Sequence, residues 1–306
     1  MGHAVHRIDL LRLLHLRHQA KGDPVMAGFA RGKRRKLIGN VLTYVGLVTL
    51  FLVFVFPLLW IVGISLKTRE QIFTNPPVFF WVPTFENYVQ VLTQSDFLAS
   101  FGNSLMVTTA SVTLSLLIGI PASYTFARFR FPGQSVAMIT LLIMRMLPPV
   151  AILLPLFVLF KAAGLSNTLA SVIIAYTTFS LPLIVWVMKD YFANLPKELE
   201  EAAYIDGASR MLAFRKIVLP LARPGIVTAA ILSLLLAWND FIFAAILTNN
   251  ATRTSPVLLA SYAGGETGTN WGAITASGVL VVIPVIIFSM IVQKHLVQGL
   301  SSGTVK

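Results

Sequence analysis

The chain has 306 residues, of which 56% are hydrophobic and only 12% charged. Soluble domains carry roughly 25% charged residues, so this composition excludes an ordinary water-soluble globule and points to an integral membrane protein. The formal net charge is +12, and there is no cysteine, which rules out disulfides, zinc–thiolate sites and a thiol nucleophile.

The first 37 residues form a basic arm containing RIDLLRLLHLRH and four of the five histidines, His3, His6, His15 and His18. Those histidines lack a firm metal-ligand spacing, and no metal site is expected. The arm has no long apolar core followed by a cleavage site, so a signal peptide is not expected. A start at Met26 would leave MAGFARGKRRK as a short basic leader, with 1–25 not native. Detection of peptides upstream of Met26 in the native protein would rule that out.

Six apolar runs are long enough to cross a bilayer. They cover about 41–66, 103–127, 134–160, 169–188, 225–247 and 273–292. Prolines inside several of them are tolerated where neighbouring helices or cavities satisfy the freed carbonyls. Of the 24 lysines and arginines, 19 lie in the N-terminal arm, the 128–133 turn, the 189–223 segment and the C-terminal tail. Four lie in the opposite connections, and Arg145 lies inside the third run. The positive-inside rule then puts both termini and the 189–223 segment in the cytoplasm. It also explains the net charge without a nucleic-acid partner.

Hydrolytic motifs are missing. GFARGKRR near Gly28 has the wrong spacing and context for a phosphate-binding loop, and no HExxH or GxSxG occurs. The chain therefore does not bind ATP by that route. The intramembrane charges Arg145 and Asp240 leave an ion-coupled secondary transporter as an alternative.

The densest mixed charge lies between runs four and five, in EAAYIDGASRMLAFRKIVLP and the residues just before it. Pro196 suits a first helical position, and Glu198, Glu200 and Glu201 suit the first turns, where the helix dipole favours negative charge. Gly207 suits a left-handed stop and Ser209 an N-cap for a second helix that ends at Pro220. Such a helix pair would either lie on the membrane surface or dock on a protein. Its carboxylates, repelled by an anionic leaflet, favour the protein.

Glu201, Ala202, Ala203, Gly207, Ile217, Leu219 and Pro220 fill every defined position of E-A-A, three residues, Gly, nine residues, Ile-x-Leu-Pro. This resembles the signature loop of ABC-importer membrane subunits. WVPTFENYVQV, RFRFPG, AWNDFIFA and HLVQGLSSGTVK are similar to the sugar-importer permeases of the maltose-transporter type. The resemblance runs from about residue 36 onward.

The resemblance implies an all-α integral membrane protein with six transmembrane helices in the type I ABC-importer permease fold. A six-helix domain would span 38–300, with a coupling loop at 193–222 and a cytoplasmic tail at 301–306. It implies residence in a bacterial or archaeal cytoplasmic membrane and import of a sugar or polyol. Glu201 would pair with a basic residue of an ATPase, with Ala202, Ala203, Asp206, Gly207, Arg210, Ile217, Leu219 and Pro220 completing the coupling element. ATP and magnesium would sit on two partner ATPase subunits, with no cofactor on this chain. A second permease would complete a heterodimer, and an extracytoplasmic solute-binding protein would deliver the substrate. The 249–271 loop, with Gly264, Gly265, Glu266 and Gly268, would reach toward that protein or serve as a connector.

Trp238, Asn239 and Asp240 suit a carbohydrate path, since an aromatic face stacks on sugar rings and polar groups take hydroxyls. Arg145 would either pair with Asp240 or meet substrate. Tyr176 and Thr177 are further path candidates, although threonines in spans also bond to helix backbone.

Overall fold

A computed structural model describes residues 24–264 and 268–301, and all regular structure among them is helical. The chain divides into two units, Met1–Trp60 and Ile61–Lys306. The long first helix, α1 (Pro24–Ser65), supplies the described part of the first unit. Phe51, Leu52 and Phe54 are exposed, as in a helix apolar all round. Thr43 and Thr49 donate to the carbonyls of Gly39 and Val45 at 2.9 and 2.8 Å, which satisfies their hydroxyls within the helix.

The second unit takes in the last turn of α1 from Ile61 and continues with two short helices, α2 (Arg69–Phe73) and α3 (Glu86–Gln94). Its centre is the pairing of α4 (Phe97–Arg128) with α7 (Leu169–Ala193). Small residues make the close approach possible. Ser104, Ser111, Ser115 and Gly119 recur on the buried face of α4. Ser115 donates to the carbonyls of Ser111 at 2.7 Å and Thr177 at 3.3 Å. Thr177 returns the contact, donating to Ile173 O at 2.7 Å and Ser111 O at 3.4 Å. At Gly119 a Cβ would come within 2.7 Å of Ile184 Cγ2.

The third apolar run is not one straight span. It forms α5 (Gln134–Met146) and α6 (Pro149–Ala162), bent by 102°. Leu147 precedes Pro148, which precedes Pro149, and a residue before proline is pushed out of the helical region. Leu147 and Pro148 accordingly have ψ of 131° and 130°.

The fifth run is also interrupted. The helix α8 (Glu198–Ile205) is followed by α9 (Arg210–Leu221), α10 (Arg223–Trp238) and α11 (Ile242–Leu247). The bend between α9 and α10 is 73°. The expected 225–247 span therefore breaks at 239–241, between α10 and α11. The chain continues through α12 (Ser255–Ser261) to α13 (Trp271–Ser301). Four stretches, Gly39–Ser65, Phe97–Arg128, Leu169–Ala193 and Trp271–Met290, are each long and apolar enough to cross a membrane. Counting each bent pair as one span gives six.

Three buried clusters follow the length of α4. Phe97, Val91, Leu258, Ala273 and Ala276 gather at its start. Val107, Leu153, Val172, Tyr176, Phe243 and Leu247 form the next. Tyr124, Ile184, Met188, Phe192, Val218 and Ala222 form the last, beneath the charged loop.

Candidate functional site

The charged loop folds as two short helices at a tight turn. Pro196 lies two residues before α8 rather than at its first position, and Lys197 is the N-cap. The Lys197 carbonyl accepts from the N–H groups of Glu200 and Glu201 at 2.9 and 3.0 Å. Gly207 has φ of 87°, a left-handed conformation that glycine adopts without penalty. Its N–H donates to Tyr204 O at 3.1 Å, and Ala208 N–H donates to Ala203 O at 2.9 Å. This pair of bonds is the Schellman motif, which closes the open carbonyls of α8. Ser209 then caps α9, its Oγ accepting from Leu212 N–H at 3.3 Å.

The turn sorts the side chains. Glu201, Ala202, Asp206 and Gly207 are exposed, whereas Ala203 is buried. Ile205 is 87% exposed and Met211 59%, so apolar groups flank the free carboxylates. Arg210 is exposed too, with its guanidinium 5.3 Å from the centre of the Phe129 ring. Ile217 and Leu219 are half-buried and Pro220 is exposed; Val218 is the side chain fully packed there. Residues 214–218 form a π-helical stretch just before Pro220. Leu219 N–H reaches back five residues to Phe214 O, a local distortion often found at functional sites.

Glu200 departs from its neighbours. It is buried, and its two carboxylate oxygens accept from Arg128 Nε at 2.7 Å and Tyr124 Oη at 2.6 Å. The E-A-A motif singles out Glu201, but nothing local in the sequence marks Glu200 as buried. The usable signal was the spacing of Tyr124 and Arg128, four residues apart at the end of α4 and so on one face.

A cavity of about 300 Å³ opens between the broken helices. Arg145, Leu147, Pro149, Tyr176, Phe179, Ser180, Asp240 and Phe243 are among its lining residues. The bend at 147–148 brings Arg145 to this site, and the break after Trp238 brings Asp240. Asp240 Oδ1 accepts from Phe243 N–H at 3.1 Å, in the first turn of α11. Tyr176 Oη donates to the Asp240 carbonyl at 3.4 Å. Arg145 and Asp240 share the cavity wall, and no ion pair joins them among the described residues.

The other expected path residues lie elsewhere. Trp238 is 2% exposed, donates to Val281 O at 3.2 Å and meets Phe101 edge-on at 5.8 Å. It locks α10 to α13 and α4 and offers no face for stacking a sugar. Asn239 is exposed and closes α10, its amide donating to Leu235 O at 2.8 Å. Thr177 is sealed in the α4–α7 seam. Gly264 and Gly268 are described, and Gly268 has φ of 84°. Gly265 and Glu266 lie outside the described residues, as do His3, His6, His15 and His18.

Asp240 has two separable properties, an acceptor for the α11 backbone and an ionisable carboxyl on the cavity. Asp240→Asn keeps the acceptor and removes the carboxyl. Its uptake is expected to fall about tenfold, the equivalent of one well-placed polar contact near 1.4 kcal/mol. Full uptake by the asparagine variant would remove the carboxylate from the path.

Apolar helices broken around a cavity that Arg145, Tyr176 and Asp240 line, with a charged hairpin between α7 and α10, have the form of a membrane transport subunit. Residues 115–302 match the family described as binding-protein-dependent transport system inner membrane component, and the chain belongs to that family. It is 37% identical over 252 residues to the trehalose transport system permease protein SugB of Mycobacterium tuberculosis, covering 82% of this chain and 92% of that one. It is 32% identical over 276 residues to the trehalose/maltose transport system permease protein MalG of Thermococcus litoralis, covering 89% and 99%.

Among solved structures, a bacterial ABC transporter that imports the acidic polysaccharide alginate superposes with a TM-score of 0.72. That match has 23% identity over 85% of this chain and 97% of the other, and shows the shared fold. A bacterial alginate transporter in complex with a pentasaccharide-bound periplasmic protein gives a TM-score of 0.60 at 16% identity, covering 84% and 94%. The chain is thus a multi-pass permease subunit of an ATP-driven ABC importer in the type I fold. It is a transport component, and ATP hydrolysis belongs to separate subunits. The ion-coupled alternative built on Arg145 and Asp240 is accordingly withdrawn.

Proposed function

We propose that this permease carries a sugar or polyol inward by alternating access, driven by an ATPase that docks on α8. The observation that carries the reading is the inside-out arrangement of the hairpin. Its acids at 201 and 206 and its apolar Ile205 and Met211 face outward, while its own folding bonds are complete. Such a surface is built to be covered. Glu201 is the contact for a basic residue of the ATPase, with Ala202 allowing close approach. ATP and magnesium are held by the two ATPase subunits.

A second permease completes the pore, and an extracytoplasmic binding protein delivers substrate near the 249–271 loop. The charge bias of the connections supports cytoplasmic termini. Arg145, Tyr176 and Asp240 supply this chain's polar groups along the path, with Phe179 and Phe243 as its aromatic wall. The names of the relatives favour saccharides, and the binding protein selects among them.

The test is reconstitution of the permease pair with its ATPase and binding protein in liposomes, followed by uptake of labelled disaccharides, monosaccharides and polyols. Uptake of at least one, dependent on internal ATP and on the binding protein, is expected. Accumulation of amino acids or peptides with no saccharide transported would overturn the substrate class.

A further inference from the structure

Arg128 and Glu200 form a buried pair, with side chains only 6% and 7% exposed. Glu200 has both oxygens engaged, by Arg128 Nε at 2.7 Å and Tyr124 Oη at 2.6 Å. Both donors stand on the last turns of α4. Arg128 also donates through Nη2 to Leu195 O at 3.0 Å, gripping the link between α7 and α8. One guanidinium therefore holds three segments: the end of α4, the exit of α7 and the docking helix.

Aromatic packing encloses this polar centre. The Tyr124 ring lies 4.6 Å from that of Phe214, 5.7 Å from Phe192 and 6.0 Å from Phe129. Low polarizability around a charge pair strengthens it while both members are present and makes loss of either costly. An exposed pair would yield to thermal motion. This one is placed to transmit force.

We propose that Arg128, Glu200 and Tyr124 are positioning residues that make the docking helix and α4 move as one body. Glu201 faces the motor and Glu200 faces the membrane core. Movement of α8 reaches α4 through the pair, and α4 carries it along the Ser111–Thr177 seam to the cavity at Tyr176 and Asp240. The proposal rests on the docking reading of α8 and adds the internal joint that this reading lacks.

The experiment compares Glu200→Gln, Tyr124→Phe, the single charge variants Arg128→Glu and Glu200→Arg, and the reversed pair that combines these two, in the reconstituted complex. Three quantities are read: ATPase subunit retained on purification, ATPase rate, and substrate transported per ATP hydrolysed. Glu200→Gln is expected to retain the ATPase within about twofold but to lower transport per ATP by about tenfold, since only the internal contact is lost. Tyr124→Phe keeps the ring and removes one hydrogen bond, so it folds even if Glu200→Gln does not. It should lower transport per ATP by about threefold.

The reversed pair should recover at least about threefold over either single charge variant, as coupled positions do. Unchanged transport per ATP in Glu200→Gln, or in Tyr124→Phe where the former does not fold, overturns the joint. Loss of the ATPase from Glu200→Gln without recovery in the reversed pair also overturns it, by placing Glu200 in the docking surface. Failure of the docking reading has another signature, full retention and full coupling in a Glu201→Ala control.

Discussion

Glu201→Ala should release the ATPase while leaving the hairpin folded. The side chain is exposed, and the bonds that shape the turn run through the backbone of residues 203, 204, 207 and 208 and through Ser209. Losing a hydrogen bond between charged groups costs about 1.5–3 kcal/mol, or roughly 10–150-fold in affinity. The expected result is a transporter that purifies intact and loses ATPase during washing. Its uptake recovers in part at high ATPase concentration. Glu201→Lys should be worse than alanine, because like charges would then meet across the contact. Titration of purified ATPase against the permease complex gives both affinities. Wild-type affinity in the alanine variant would remove Glu201 from the interface.

Gly225→Ala should destabilise the protein through a single methyl group. A Cβ at this position in α10 would lie 2.6 Å from Tyr191 Cγ and 2.7 Å from Cδ2. The phenol ring thus rests on the glycine, close to the 73° bend that joins the docking hairpin to the membrane core. Overpacking of this kind costs about 1–3 kcal/mol, because the ring or a helix must move. A lower melting temperature in detergent and weaker uptake are expected. Tyr191→Ala in the same chain should relieve the clash, so the double variant should be more stable than the two separate losses predict. Additive losses would show that ring and glycine do not press on each other.

The parts of the molecule governed by local chemistry were readable from the sequence. Gly207 needed a left-handed turn and has one, and Ser209 was a cap by type and position. The apolar runs marked the membrane segments because lipid demands length and hydrophobicity along one continuous stretch. Length could not reveal the bends, although the Leu147-Pro148-Pro149 order carries the cause of the one between α5 and α6. Prolines inside the runs read as tolerated kinks, while two in succession turned the chain through 102°.

The site residues divided in the same way. Asp240 and Arg145 meet Tyr176 of α7 at the cavity because the breaks in α5–α6 and α10–α11 turn the first two inward. Trp238 and Thr177 have suitable chemistry for a sugar path but are consumed by helix packing. Which face of a helix is buried depends on its neighbours, and the spacing of apolar residues says nothing where every face is apolar. Glu200 and Glu201 differ in role for a similar reason: the partners of Glu200 lie 72 and 76 residues away in sequence.

The Schellman closure at Gly207 has a kinetic consequence. Because α8, its turn and α9 satisfy their own hydrogen bonds, the hairpin meets its partner already shaped. Little conformational entropy is then surrendered on association, and the acids are presented in fixed register. Recognition can be brief and repeated without a folding step in each cycle.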